Sequence, residues 1–121
     1  MKKTFLVVAA IFLMALVSNT FAQQVQSGDF KVDEKTSGYT LASNEGDRIY
    51  TMEVTFEKPF EIKPSVILSV NLVEAASGTT LRYHIASSAV SRDGFVIKIK
   101  TWGDSQIRQV GGSWIAVSGK E

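Results

Sequence analysis

From Gln23 onward the chain is interrupted too often to build helices. Ser27-Gly28, Ser37-Gly38, Asn44-Glu45-Gly46-Asp47, Lys58-Pro59, Ser77-Gly78, Asp93-Gly94, Gly103-Asp104 and Gly111-Gly112 break it at short intervals. Each carries turn chemistry: glycine for positive φ, proline for a fixed φ, Asx side chains that bond their own backbone. Between the breaks the segments are rich in β-branched and aromatic residues and alternate with period two. The clearest is GFVIKIKTW, where Phe95, Ile97, Ile99 and Thr101 alternate with Val96, Lys98, Lys100 and Trp102 behind the Asp93-Gly94 turn. That alternation is a strand with one buried and one mostly wet face. Six strands are predicted, near 24–30, 48–56, 65–73, 79–91, 94–102 and 109–117. Short strands at regular spacing without helices point to an all-β fold, an antiparallel six-stranded sandwich or barrel.

Two strands carry more detail. Tyr50, Met52, Val54 and Phe56 share one face, with Arg48, Thr51, Glu53 and Thr55 among the polar positions, the pattern of a half-buried antiparallel strand. Val66, Leu68, Val70 and Leu72 share a face of the third strand, while Ile67 and Val73 fall on the other. Apolar residues on both faces predict burial on both sides. The second cover is either crowding within the chain or another subunit.

Residues 1–22 read as a targeting segment: Lys2 and Lys3, an apolar run from Phe5 to Val17, then small residues at Thr20 and Ala22. The run is short for a membrane anchor, and cleavage is expected before Gln23. The remaining 23–121 form one domain, exported to the periplasm or secreted. The full chain has 13 Lys+Arg against 12 Asp+Glu; without Lys2 and Lys3 the balance is 11 against 12. Such a near-neutral domain lacks the charge footprint of a nucleic-acid or anionic-membrane binder. With no cysteine, neither disulfides nor thiolate zinc sites hold it together. A small sheet domain buries a modest core, so oligomerisation is plausible on size alone.

The residues offer no catalytic set and no cofactor or metal motif. The single histidine, His84, shares a strand face with Arg82, and a lone strand histidine is usually a partly exposed hydrogen-bonding group. No serine sits in a GxSxG elbow. The carboxylates Glu53, Glu57, Glu61, Glu74, Asp93 and Asp104 show no pairing suited to hydrolysis, and no HxH, HExxH or DxDxDG pattern occurs. A small hydrolase centred on His84 is the least supported reading.

A binding pair stands out instead. Arg82 and Trp102 lie about equally far from the Asp93-Gly94 turn, so a hairpin of their strands sets them nearly opposite each other. An aromatic face packs on the apolar side of a sugar ring, and a charged donor bonds its hydroxyls at about 1.5–3 kcal/mol per bond. Asp104, at the rim after Gly103, can accept hydroxyl protons. The alternative is a cation–π contact that only stabilises the surface.

Several motifs together resemble the H-type lectins, the snail agglutinin and discoidin C-terminal group. They are Val25-Gln26-Ser27-Gly28; Val54-Thr55-Phe56, Pro59-Phe60 and Pro64-Ser65-Val66-Ile67-Leu68; Leu81-Arg82 followed by Val90 and Gly94-Phe95; then Thr101-Trp102 and Ser113-Trp114-Ile115-Ala116. The resemblance implies a β-sandwich that assembles as a homotrimer or a multiple of trimers. It also implies a site for terminal galactose or N-acetylgalactosamine to which Arg82 and Trp102 contribute. The family's contact after the tryptophan falls on Gly103, and the next at or near Arg108. Its acidic and backbone contacts before the second strand fall on Asp47 and Gly46, in a run that otherwise reads as a solvated turn. The expected function is an exported, non-enzymatic carbohydrate-binding protein. The alternative is a structural or protein-interaction sandwich, an envelope or adhesin subunit, without sugar binding.

Overall fold

The computed structural model describes residues 23–119; the expected leader over 1–22 lies outside the described residues. Six strands form: β1 (Gln24–Asp33), β2 (Arg48–Thr55), β3 (Ser65–Ala75), β4 (Tyr83–Ser88), β5 (Gly94–Thr101) and β6 (Ile107–Ser118). They pair antiparallel in two sheets of three, ordered β1-β6-β3 and β2-β5-β4. The expected all-β, six-stranded antiparallel sandwich is therefore present.

The two sheets close on Phe30, Val32, Phe95, Ile97, Ile99, Ile107, Val110 and Ala116, with Leu41, Phe56 and Phe60 supplied by loops and strand ends. The period-two reading of β5 holds: Phe95, Ile97, Ile99 and Thr101 all point inward and are buried. One end of the core is aromatic. Phe56 meets Phe60 edge-on at a centroid distance of 4.8 Å, and Phe95 meets Trp114 edge-on at 5.3 Å. Edge-to-face contacts place the positive ring rim against the negative face and add to area burial. Pro59-Phe60 is thus a plug, held by Phe60 N–H donating to Arg92 O at 2.8 Å and by Arg92 Nε donating to Phe60 O at 2.8 Å.

Three details depart from the sequence reading. β4 is shorter than 79–91: Thr79 bonds Ala76 and Arg82 bonds Ser105 and Thr101 ahead of it, and Ala89, with φ 50°, ends it at Ser88. β3 carries a bulge between Val70 and Leu72, and an extra residue reverses the alternation beyond it. Val73 therefore faces the core, opposite Val110, while Leu72 turns outward, opposite Gly111. Finally, β3 is not covered on both faces within one chain: Ile67 remains 60% exposed.

Gly112 is fixed by a close approach. A Cβ built on it would collide with the carbonyl oxygen of Ser69 on β3, so β6 and β3 can pack at this register only with hydrogen there. Gly112→Ala is expected to lower stability by about 2–4 kcal/mol, read as a shifted urea midpoint.

A second test concerns Tyr39. Its hydroxyl donates to Ile107 O at 2.6 Å. Burial, then the nearby Glu34 and Asp33 carboxylates, push its pKa up to about 12 from 10.0. Between those values the unfolded chain loses the proton and the native one keeps it, so this residue's contribution to stability falls as pH rises from about 10 to 12. The difference in urea midpoint between wild type and Tyr39→Phe should shrink over that window; a constant difference would refute the linkage.

Candidate functional site

The end of the core opposite the aromatic cluster is polar. Arg48 and Thr101 are direct cross-strand partners on the inward face of β2 and β5. Both are buried, Arg48 at 7% and Thr101 at 0% exposure, and Ser105 joins them at 0%. None of these side chains is left without a hydrogen-bond partner, as buried polar groups require. Each uses its bonds to hold a different loop.

Arg48 Nε donates to Gly46 O at 3.0 Å, Nη1 to Ser43 O at 3.0 Å and Leu41 O at 3.5 Å, and Nη2 to Gly103 O at 3.1 Å. The planar fork thus gathers the 41–46 loop and joins it to the loop after β5. The first loop is tight because Asn44 (φ 63°) and Gly46 (φ 82°) both adopt the left-handed region. Gly46 N–H also donates to Gly103 O at 2.9 Å. Thr101 Oγ1 donates to Arg82 O at 2.5 Å, and Arg82 N–H donates to Ser105 Oγ at 3.2 Å. These two bonds replace the ladder where β4 ends.

The register of β4 and β5 ends with Tyr83 opposite Thr101, so Arg82 and Trp102 are the next facing positions. Arg82 Nη1 is paired with Asp104 Oδ1 at 2.8 Å, with both side chains more than a third exposed. Trp102 is 37% exposed. Gly103 sits between them with φ 68°, and a Cβ there would lie 3.1 Å from Arg82 Nη1. Asp47 reaches from the 41–47 loop to Lys100, with Oδ2 3.6 Å from Nζ. Six of the seven residues expected from the sequence, Arg82, Trp102, Gly103, Asp104, Gly46 and Asp47, therefore gather at one rim.

Arg108 does not join them within one chain. It belongs to the other sheet, with Nε 2.7 Å from Glu34 Oε1 and Nη1 3.6 Å from Glu74 Oε1. The hydrogen bond to Glu34 chiefly holds its guanidinium above the ordinary arginine pKa. The β3–β6 irregularity between Glu74 and Ala75 skips Arg108 in the ladder, which frees it to turn to these acids.

Arg48, Thr101 and Ser105 are the positioning residues that sequence reasoning did not select. Arg48 was grouped with the polar positions of its strand, but its parity was the signal: it shares the alternation of Tyr50, Met52 and Val54 and faces inward. Among the described residues no group of three or more His, Asp or Glu could hold a metal ion. His84 lies exposed on β4, opposite Lys100.

The model of the H-type lectin domain matches residues 51–117, more than half of the chain. The chain belongs to the H-type lectin domain family. A protein of Fuscovulum blasticum, "ATP synthase subunits region ORF 7", is 32% identical over 80 residues, covering 66% of this chain and 70% of that one. Discoidin II of Dictyostelium discoideum superimposes on 84% of this chain with a TM-score of 0.73 at 22% identity. This chain spans only 39% of discoidin II, so the likeness is one of fold in a single domain. The N-truncated R1-type pyocin tail fiber shares the fold more distantly, with a TM-score of 0.50 at 22% identity over 80% of this chain and 71% of that one. Membership of the H-type lectin family supports a carbohydrate-binding lectin as the general role of this domain.

Arg48→Met is expected to cost about 2–4 kcal/mol, because it strands carbonyls of two loops in a buried place. Amide exchange should rise first at Ser43–Asp47 and Gly103–Ser105. Uniform loosening across all strands would contradict the role of this lectin's Arg48 as a loop clamp.

Proposed function

We propose that this protein is an exported lectin that recognises terminal galactose or N-acetylgalactosamine-type residues of glycans, without catalysis, metal or cofactor. The observation that carries the reading is the convergence of Arg82, Trp102, Asp104, Asp47 and the Gly46–Gly103 backbone contact on one rim of an H-type lectin domain.

The chemistry suits a neutral sugar. Trp102 offers an apolar face for the C–H side of the ring. Arg82 donates to adjacent hydroxyls, and the Asp104 carboxylate that now holds it accepts a hydroxyl proton. Because that ion pair is preformed, the guanidinium loses little freedom when a sugar arrives. Asp47 supplies a second acceptor from the facing loop.

One such open site binds weakly; a Kd of about 1 mM is worth only about 4 kcal/mol. We propose that homotrimer assembly supplies the rest, since linked sites raise avidity by roughly 10²–10⁴ when their spacing matches the ligand. Support comes from the outer face of β1-β6-β3, where Val25 (54% exposed), Ile67 (60%) and Ile115 (38%) form an apolar stripe among serines. The same stripe favours a second reading, a protein-interaction sandwich of an envelope or adhesin assembly that binds no sugar. Export rests on the leader read over residues 1–22.

A glycan array with residues 23–121 beside Arg82→Ala separates the two. Signals on galactose-type termini should fall at least tenfold in the variant while its oligomer mass stays unchanged. A blank array from folded oligomer would leave only the interaction module.

A further inference from the structure

The outward face of β5 carries cations up to the edge of the candidate sugar rim. Lys98 and Lys100 occupy the two outward positions before Trp102, and His84 on β4 is the direct partner of Lys100. On the β2 side Ile49 and Thr51 face Lys100 and Lys98, and Ala86 faces Lys98 from β4. The acid on this face, Glu53, lies a step further away, opposite Val96. Asp47 touches Lys100 at 3.6 Å in an exposed pair, and Lys98 has no ion-pair partner among the described residues.

We infer that Lys100 and His84, flanked by Lys98, form a second subsite for an anionic substituent, a sulfate ester or a carboxylate, on the galactose-type glycan held at Trp102. The inference rests on the galactose reading of that rim. The spacing fits: Trp102, just past the end of β5, is two residues from Lys100, about 7 Å in extended chain, roughly the width of a sugar ring. Directly opposed side chains on a sheet have Cβ atoms about 4.5–5.5 Å apart, so an ammonium and an imidazole can hold one small anion between them. An anion with several acceptor oxygens suits the three donors of a lysine. The Asp47 pair is no obstacle, since an exposed ion pair contributes little. When a ligand anion takes Lys100, the Asp47 carboxylate is released to accept a sugar hydroxyl. Recognition of charge next to the ring is thereby coupled to recognition of the ring itself.

Calorimetric titration with lactose, 3′-sulfolactose and 3′-sialyllactose tests this, using protein expressed from the full chain. At about 50 mM salt at least one anionic sugar should bind about five- to tenfold more tightly than lactose. The advantage should fade at about 500 mM salt and vanish in the Lys98→Gln/Lys100→Gln double variant. A gain with the sulfated sugar alone assigns a sulfate subsite; a gain with both assigns a general anion subsite. Equal affinity for all three sugars overturns the subsite and leaves the galactose site standing. Lack of binding to any of them overturns both readings. An anionic preference that survives the double variant overturns the placement on this strip.

Discussion

The rim of this domain depends on a buried cation solvated by backbone carbonyls. The Arg48 guanidinium sits at the inner end of β2, and its ring of partners is entirely carbonyl: Leu41, Ser43, Gly46 and Gly103. Removing a charge from water is expensive unless strong hydrogen bonds replace hydration. Carbonyl dipoles aimed from several directions do so, and arginine, always charged and rigidly planar, is the side chain that can use them together. The arrangement is reciprocal. The loops give the cation its solvation, and the cation gives the loops their shape, so neither survives the loss of the other.

Thr101 and Ser105 extend the same logic to the third segment, binding both backbone groups of Arg82. The sandwich thus has two unlike ends. At one, Phe56, Phe60, Phe95 and Trp114 close the core with ring contacts, beneath an exposed turn at 91–93. At the other, polar side chains reach out from the core into loops. Hydrogen bonds fix the direction of a polar group more strictly than apolar packing fixes that of a side chain. The polar end is accordingly where Arg82 and the loops beside it are held at set positions.

The two outer faces differ as sharply. That of β1-β6-β3 mixes serines with exposed valine and isoleucines, a surface suited to another protein surface. That of β2-β5-β4 carries lysines and a histidine beside the rim, a surface suited to a polar ligand. The exposed apolar side chains and the lysine strip thus lie on separate sheets.

Much of the fold was written in the chain's alternation. Turn residues at short intervals and period-two patterning determined six antiparallel strands, the inward set of β5 and the hairpin that sets Arg82 opposite Trp102, because strand geometry and turn sterics act over a few residues. Tertiary structure decided the rest. The bulge beyond Val70 exchanged the roles of Leu72 and Val73, since register depends on the partner strand. Arg108 was drawn away by Glu34 and Glu74, which are remote in sequence and meet it only when β1, β3 and β6 align. Arg48 became the centre of the rim because the carbonyls that replace its water come from two loops more than fifty residues apart. Local periodicity could say that it pointed inward, but only the closed sandwich could supply what a buried charge must find there.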